Sequence, residues 1–159
     1  MRASGKRTVV WKVVCGGAVL LLVPIMILGA QNPINHAATR PDHSDPLLRT
    51  RHYHHSLYEV RRTVQETIST LRTYGGHWQT VPEEGLVPLG LRDEPVERVI
   101  RVVVPVLVFK DDLTITLHGN SKETTLDVRS ASRVGKGDFG ENRRHILQLL
   151  QALDERLKP

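Results

Sequence analysis

Apolar and polar positions follow three different rhythms along this chain, and each rhythm predicts a different element. Residues 13–30 form a run of 18 without a single charge. At the helical rise such a run spans about 27 Å, close to the hydrocarbon thickness of a bilayer, so it predicts a transmembrane anchor. Trp11 and Lys12 stand where an interfacial aromatic and a snorkelling cation belong. Pro24 inside the run is a kink that membrane helices tolerate. A cleavable signal peptide is the competing reading, but its apolar region is shorter, about 7–15 residues, and ends in small residues. Here the nearest cleavage triplet opens on Leu28, and the retained anchor is preferred.

The second rhythm is helical. Leu57, Val60, Val64, Ile68 and Leu71 fall at spacings of three and four, behind Ser56 and Glu59 in capping-box positions. This predicts a helix to about Tyr74, ended by Gly75 and Gly76. A second stripe of Ile146, Leu150, Leu153 and Leu157, opened by Asp138 and Glu141, predicts a helix at the C-terminus.

The third rhythm has period two. Leu113, Ile115 and Leu117 alternate with Thr114, Thr116 and His118, and Leu126 and Val128 alternate with Asp127 and Arg129. These predict a hairpin of half-buried strands around a turn at Gly119, Asn120 and Ser121. A Val- and Ile-rich strand at 98–109 contains Pro105, which implies an edge, a bulge or a bend. Shorter strands are expected at 49–54 and 78–81, and Lys110, Asp111 and Asp112 read as a turn or bulge. A connection at 82–96, rich in Pro and Gly yet carrying Leu86, Val87, Leu89 and Leu91, is expected to pack down on the body.

Strand, helix, several strands, helix is the order of an α+β two-layer sandwich, a mainly antiparallel sheet with two helices on one face. The expected organisation is a basic cytoplasmic tail at 1–12, the anchor at 13–30, a Pro-rich linker at 31–48, and the α+β domain at 49–159.

Charge fixes the expected orientation. The chain has 22 Lys and Arg against 17 Asp and Glu. Arg2, Lys6, Arg7 and Lys12 precede the apolar run, which leaves 18 basic against 17 acidic residues for all that follows. The cations before the helix place the N-terminus in the cytoplasm and the domain outside it, at the cell (inner) membrane. A nearly neutral body and 4% aromatic residues argue against nucleic acid as a partner. Cys15 as the only cysteine excludes a disulfide scaffold.

The most specific sequence lies before the last helix. Asp127, Arg129, Ser130, Ser132, Arg133, Gly135, Asp138, Gly140 and Asn142 stand at the spacing of a long motif, which resembles the signature of the DUF1499 family, a bacterial domain of unknown function. Phe109, Lys110, Asp111 and Asp112 resemble the same family's F-x-D-D element. Gly76 and Trp78 resemble its Gly-Trp strand start, here split by His77, and Arg144-His145-Ile146 stands where an Arg-Ile pair is more usual. The resemblance covers about residues 49–157 and implies no activity.

Three chemistries suit these residues. Arg129, Arg133, Lys136, Arg143 and Arg144 converge in sequence on a glycine-flanked helix start, an arrangement able to hold a phosphate, a lipid head group or a carboxylate. Asp138 argues against this, since as N-cap it occupies the same helix end. Asp111 and Asp112 form a candidate catalytic carboxylate pair, although adjacency in sequence does not set the spacing such chemistry needs. The preferred reading is architectural: Asp111, Asp112, Asp127 and Asp138 neutralise Arg129 and Arg133, while Ser130, Ser132 and Asn142 satisfy backbone groups of the turn. His43, His52, His54 and His55 are the one candidate metal cluster, but without a Cys or carboxylate at ligand spacing they are read as solvated. No cofactor and no metal are implied. The sequence thus predicts a non-catalytic binding or envelope-interaction module. Its partners are the bilayer and an envelope protein or anionic ligand; the alternative is a small enzyme or an anion or lipid-head-group binder.

Overall fold

The computed structural model describes residues 35–82, 95–135 and 137–158. The anchor and tail of the sequence reading, and most of the connection at 82–96, lie outside the described residues. Among the described residues, no helix is long and apolar enough to cross a membrane.

Among the described residues, eight strands and two helices follow one another: β1 (His36–Ala38), β2 (Arg51–Tyr53), α1 (Leu57–Thr70), β3 (Arg72–Thr73), β4 (Gly76–His77), β5 (Gln79–Thr80), β6 (Val96–Val106), β7 (Phe109–Gly119), β8 (Thr124–Ser132) and α2 (Glu141–Leu157). A single 3-10 turn, Pro46–Leu48, lies between β1 and β2. The main sheet is antiparallel in the order β1-β8-β7-β6-β5, with β2 also on β8. The fold class is therefore α+β, as expected.

The period-two pattern explains the layers. Ile100, Val102 and Val104 of β6, Leu113, Ile115 and Leu117 of β7, and Leu126 and Val128 of β8 are buried on one face. There they meet Val60, Val64 and Ile68 of α1 and Ile146, Leu149, Leu150 and Leu153 of α2. The other face carries Arg101, Asp112, His118 and Arg129, all exposed.

Four expectations are corrected. First, residues 36–48 are not tether: β1 pairs with β8, His36 opposite Ala131 and Ala38 opposite Arg129. An edge strand of three residues bonds through its backbone, so it leaves no side-chain rhythm to read. Second, α1 stops at Thr70, because Leu71 turns extended and buries its side chain. Trp78 N–H then donates to Leu71 O, and Tyr74 and Gly75 make the turn of the small β3–β4 hairpin. Gly76 is needed for close approach, since a Cβ there would meet Pro105 Cγ at 2.8 Å.

Third, Lys110, Asp111 and Asp112 are strand, not turn. The chain reverses at Leu107 and Val108, and Val106 pairs with Phe109. Pro105 is tolerated because β5 flanks β6 only at Val102 and Val103. Fourth, α2 opens at Glu141 behind a left-handed Gly140. Asp138 still serves its start, with its carboxylate accepting from Gly140 N–H at 3.0 Å and Asn142 N–H at 2.9 Å.

Candidate functional site

Strand alternation divides the signature between two faces of β8. Ser130 points into the core and is wholly buried, whereas Arg129 is exposed on the open face. Asp111 and Asp112 are divided in the same way by β7. Asp111 is 3% exposed under the helices, and Asp112 faces solvent. The carboxylate pair suggested by the sequence is therefore split across the sheet.

Asn142 is the centre of the buried half. Its Oδ1 accepts from Ser130 Oγ at 2.6 Å. Its Nδ2 donates to Ser132 Oγ at 3.0 Å and to Asn35 O at 2.9 Å. Ser132 N–H also donates to Asn35 O. One amide thus ties the start of α2 to β8 and to the chain entering β1. Gly135, with φ +94°, offers its carbonyl to Asn35 Nδ2 at 3.3 Å.

Asp127 closes a second junction. β1 and β2 lie along the same edge of β8, with residues 39–50 looped out between them. At the neck of that loop, Asp127 Oδ1 accepts from Thr39 Oγ1 at 2.7 Å and Thr50 Oγ1 at 2.6 Å. Both threonines are largely buried, so these bonds are shielded from water.

The arginines do not converge. Arg133 makes a two-bond fork onto Asp112, at 2.9 and 2.6 Å. Arg143 forks onto Asp45 at 3.1 and 2.7 Å, which holds that carboxyl below its ordinary range. Arg144 bonds Glu141 and the Tyr74 hydroxyl, and lies over the Tyr74 ring. Arg129 is on the open face, and Lys136 lies outside the described residues. A groove of about 480 Å³ beside the start of α2 is lined by His36, Arg40, His43, Asp138 and Arg143, but Asp42 and Asp45 pair with its two arginines.

The candidate histidine cluster, read from the sequence as solvated, is also dispersed. His52 and His54 are exposed, while His55 binds Leu157 O at 2.7 Å and pairs with Glu59. Among the described residues, no group of three or more potential ligands is placed to hold a metal.

The sequence reading missed His145. It is wholly buried, with Nδ1 3.6 Å from Asp111 Oδ2 and Nε2 3.6 Å from Glu141 Oε2. Trp78 meets it edge-on at 5.9 Å between ring centres. Burial pushes the Asp111 carboxyl up, opposed by the Ser132 hydrogen bond and aided by Asp138, Glu141 and Asp112. Burial likewise pushes the imidazole down. Both shifts favour uncharged forms. The signal was available: His145 is three residues after Asn142 and four before Leu149, on the buried stripe of α2.

Comparison with known families identifies a match over residues 28–153 to a protein of unknown function, DUF1499. The chain belongs to this family. The match takes in β1, in keeping with the place of that strand in the sheet. No curated protein and no solved structure matches the chain.

Proposed function

From its place in the DUF1499 family, which carries no assigned activity, we propose that this chain is a membrane-anchored binding module of the cell envelope, without catalysis of its own. The observation that carries the reading is the internal pairing of the signature. Ser130, Ser132 and Asn142 bond one another, Asp127 holds two threonines, and Asp112 holds Arg133. Groups used in this way hold the fold together and are not aligned around an open substrate space. The uncharged run at 13–30 supports anchoring, and the four cations before it support a domain outside the cytoplasm. A reporter fused after Pro159 tests the orientation: activity outside the cytoplasm is expected, and activity confined to the cytoplasm contradicts it. Crosslinking in native membranes then identifies the partner.

One observation favours a small enzyme as the second reading. Asp111 Oδ2 and both nitrogens of His145 have no hydrogen-bond partner among the described residues. A carboxylate–imidazole–carboxylate row of this kind suits proton transfer. The burial of His145 and Asp111 weighs against it, because a general acid or base must reach its substrate and only Glu141, at one end of the row, is part-exposed.

A further inference from the structure

One end of the sheet is apolar where it should be polar. The β6–β7 turn presents Leu107, Val108 and Phe109, exposed by 74%, 86% and 53%. The loop after β8 adds Val134 and Phe139, and the β3–β4 turn adds Tyr74. Register places these loops together. Val106 opposite Phe109 and Asp111 opposite Ser132 bring the hairpin tip beside the loop that follows Ser132. Gly76 packs against Pro105, which brings in the β3–β4 turn. Among the described residues, six of the ten exposed large hydrophobic side chains lie at this end. Scattered apolar residues are ordinary on a surface, but a contiguous group marks something that covers it.

Backbone geometry adds a second observation. Leu107 has φ +52° and Phe139 has φ +52°. The left-handed region is unfavourable for a residue with a Cβ. The first position of a two-residue hairpin loop with positive φ is one that glycine fills best. A leucine there, with its side chain in water, serves neither the turn nor the core.

The chain itself says what lies next to this end. Asn35 O accepts from Ser132 N–H, and Asn35 Nδ2 donates to Gly135 O. The polypeptide therefore enters β1 at the same end as the apolar loops. The uncharged run stops at Ala30, five residues earlier, a stretch of at most about 18 Å when fully extended. The described chain breaks off and resumes away from the tip: Val81 N–H donates to Arg101 O about midway along β6, and Val96, where β6 begins, pairs with Gly119, roughly 33 Å along β6 from the tip.

We propose that this apolar end is a lipid-docking surface: Leu107, Val108 and Phe109, with Val134 and Phe139, insert into the bilayer that holds the N-terminal run. The inference rests on the anchoring reading above and adds to it a fixed orientation, tips down. Lys110 beside Phe109 is exposed and suits an anionic head-group layer. Neither an anchor nor a shallow apolar tip alone orients a domain; the two together do, since a five-residue connection leaves little room to turn away.

The test uses the full chain, reconstituted in vesicles of phosphatidylethanolamine and phosphatidylglycerol. Cys15→Ser removes the native thiol, and a polarity-sensitive dye is placed at Val108→Cys or, as control, at Lys122→Cys in the far turn. Quenchers carried on lipid acyl chains are expected to quench the dye at 108 several-fold more than at 122. Leu107→Gly with Val108→Asn suits the turn better than the native pair, so this variant folds, and with the dye moved to Val134→Cys it is expected to lose lipid quenching while still floating with the vesicles. Equal, weak quenching at 108 and 122 in a chain that floats overturns the docking and leaves the anchor standing. A dye at 108 that is dry yet not quenched by lipid means that protein covers the patch, either residues 1–34 or a second copy, and also overturns it. A chain that does not float with vesicles overturns the anchor and the docking together.

Discussion

His145 Nδ1 stands 3.6 Å from Asp111 Oδ2, and neither atom has a hydrogen-bond partner among the described residues. The imidazole is wholly buried and the carboxylate nearly so. A charged pair would have to repay two desolvation costs here, and burial instead drives each group toward its neutral form. An uncharged Asp111 could turn its proton toward His145 and serve both orphaned atoms.

These shifts have opposite signs in stability. His145 is lowered in the folded state, so its contribution is complete above about pH 6.5 and is lost as pH falls toward its folded value. Asp111 is raised, so its contribution is complete below the ordinary carboxyl value of 3.8 and is lost as pH rises through its folded value. Urea unfolding of residues 31–159 between pH 4 and 8 checks both. Asp111→Asn, which cannot ionise, is expected to raise stability at pH 7 and to remove the decline as pH rises. His145→Gln is expected to flatten the loss below pH 6.5. Unchanged pH profiles in both variants would contradict the assignment.

The junction at Asp127 predicts a local opening. Asp127→Ala leaves Thr39 and Thr50 without their shared acceptor, at a cost of roughly 2–3 kcal/mol for two charge-assisted bonds. The loop at 39–50 then loses its neck. Faster amide exchange at Thr39, whose N–H donates to Val128 O at 2.8 Å, and earlier proteolysis within the loop are expected. Exchange at native rates would show that the backbone alone closes it.

Arg133 and Asp112 are a signature pair of a different kind. Their fork is geometrically good, but the side chains are about half exposed. A double-mutant cycle with Arg133→Ala and Asp112→Ala is expected to give a coupling of at most about 1 kcal/mol. A coupling of several kcal/mol would place the pair in a drier setting than the fold provides.

What the sequence made legible was what repeats. The alternation of Leu113, Ile115 and Leu117 placed β7, and the stripe through Ile146, Leu150 and Leu153 placed α2, because burial of one face imposes a period. β1 was not legible: Ala37 and Ala38 bond through backbone groups that every sequence has. Asp111 misled because a polar residue at a core position breaks the pattern in a short window, and only the register with Ser132 restores it. Architectural pairing was foreseen for the signature, yet Arg133 meets Asp112 alone, and Asp127 holds threonines rather than an arginine. His145 was hidden by its own motif. It sits where an Arg-Ile pair was expected, and of the side chains that meet it only Glu141 is near in sequence, Asp111 and Trp78 being distant.

The central claim is that the signature builds the domain rather than a reactive centre, and Asn142 tests it most directly. Groups held for ligands usually leave stability unchanged or raise it when replaced, whereas groups that satisfy buried polar atoms lower it. Asn142→Ala orphans the Ser130 hydroxyl and removes a donor from Ser132 Oγ and from Asn35 O. The measurement is the unfolding free energy of this variant, in residues 31–159, against the native sequence. The expected result is a loss of about 2–4 kcal/mol, with faster exchange at Ser132 N–H as β1 loosens. Equal or greater stability in the variant would contradict the account and mark Asn142 as a residue kept for a ligand.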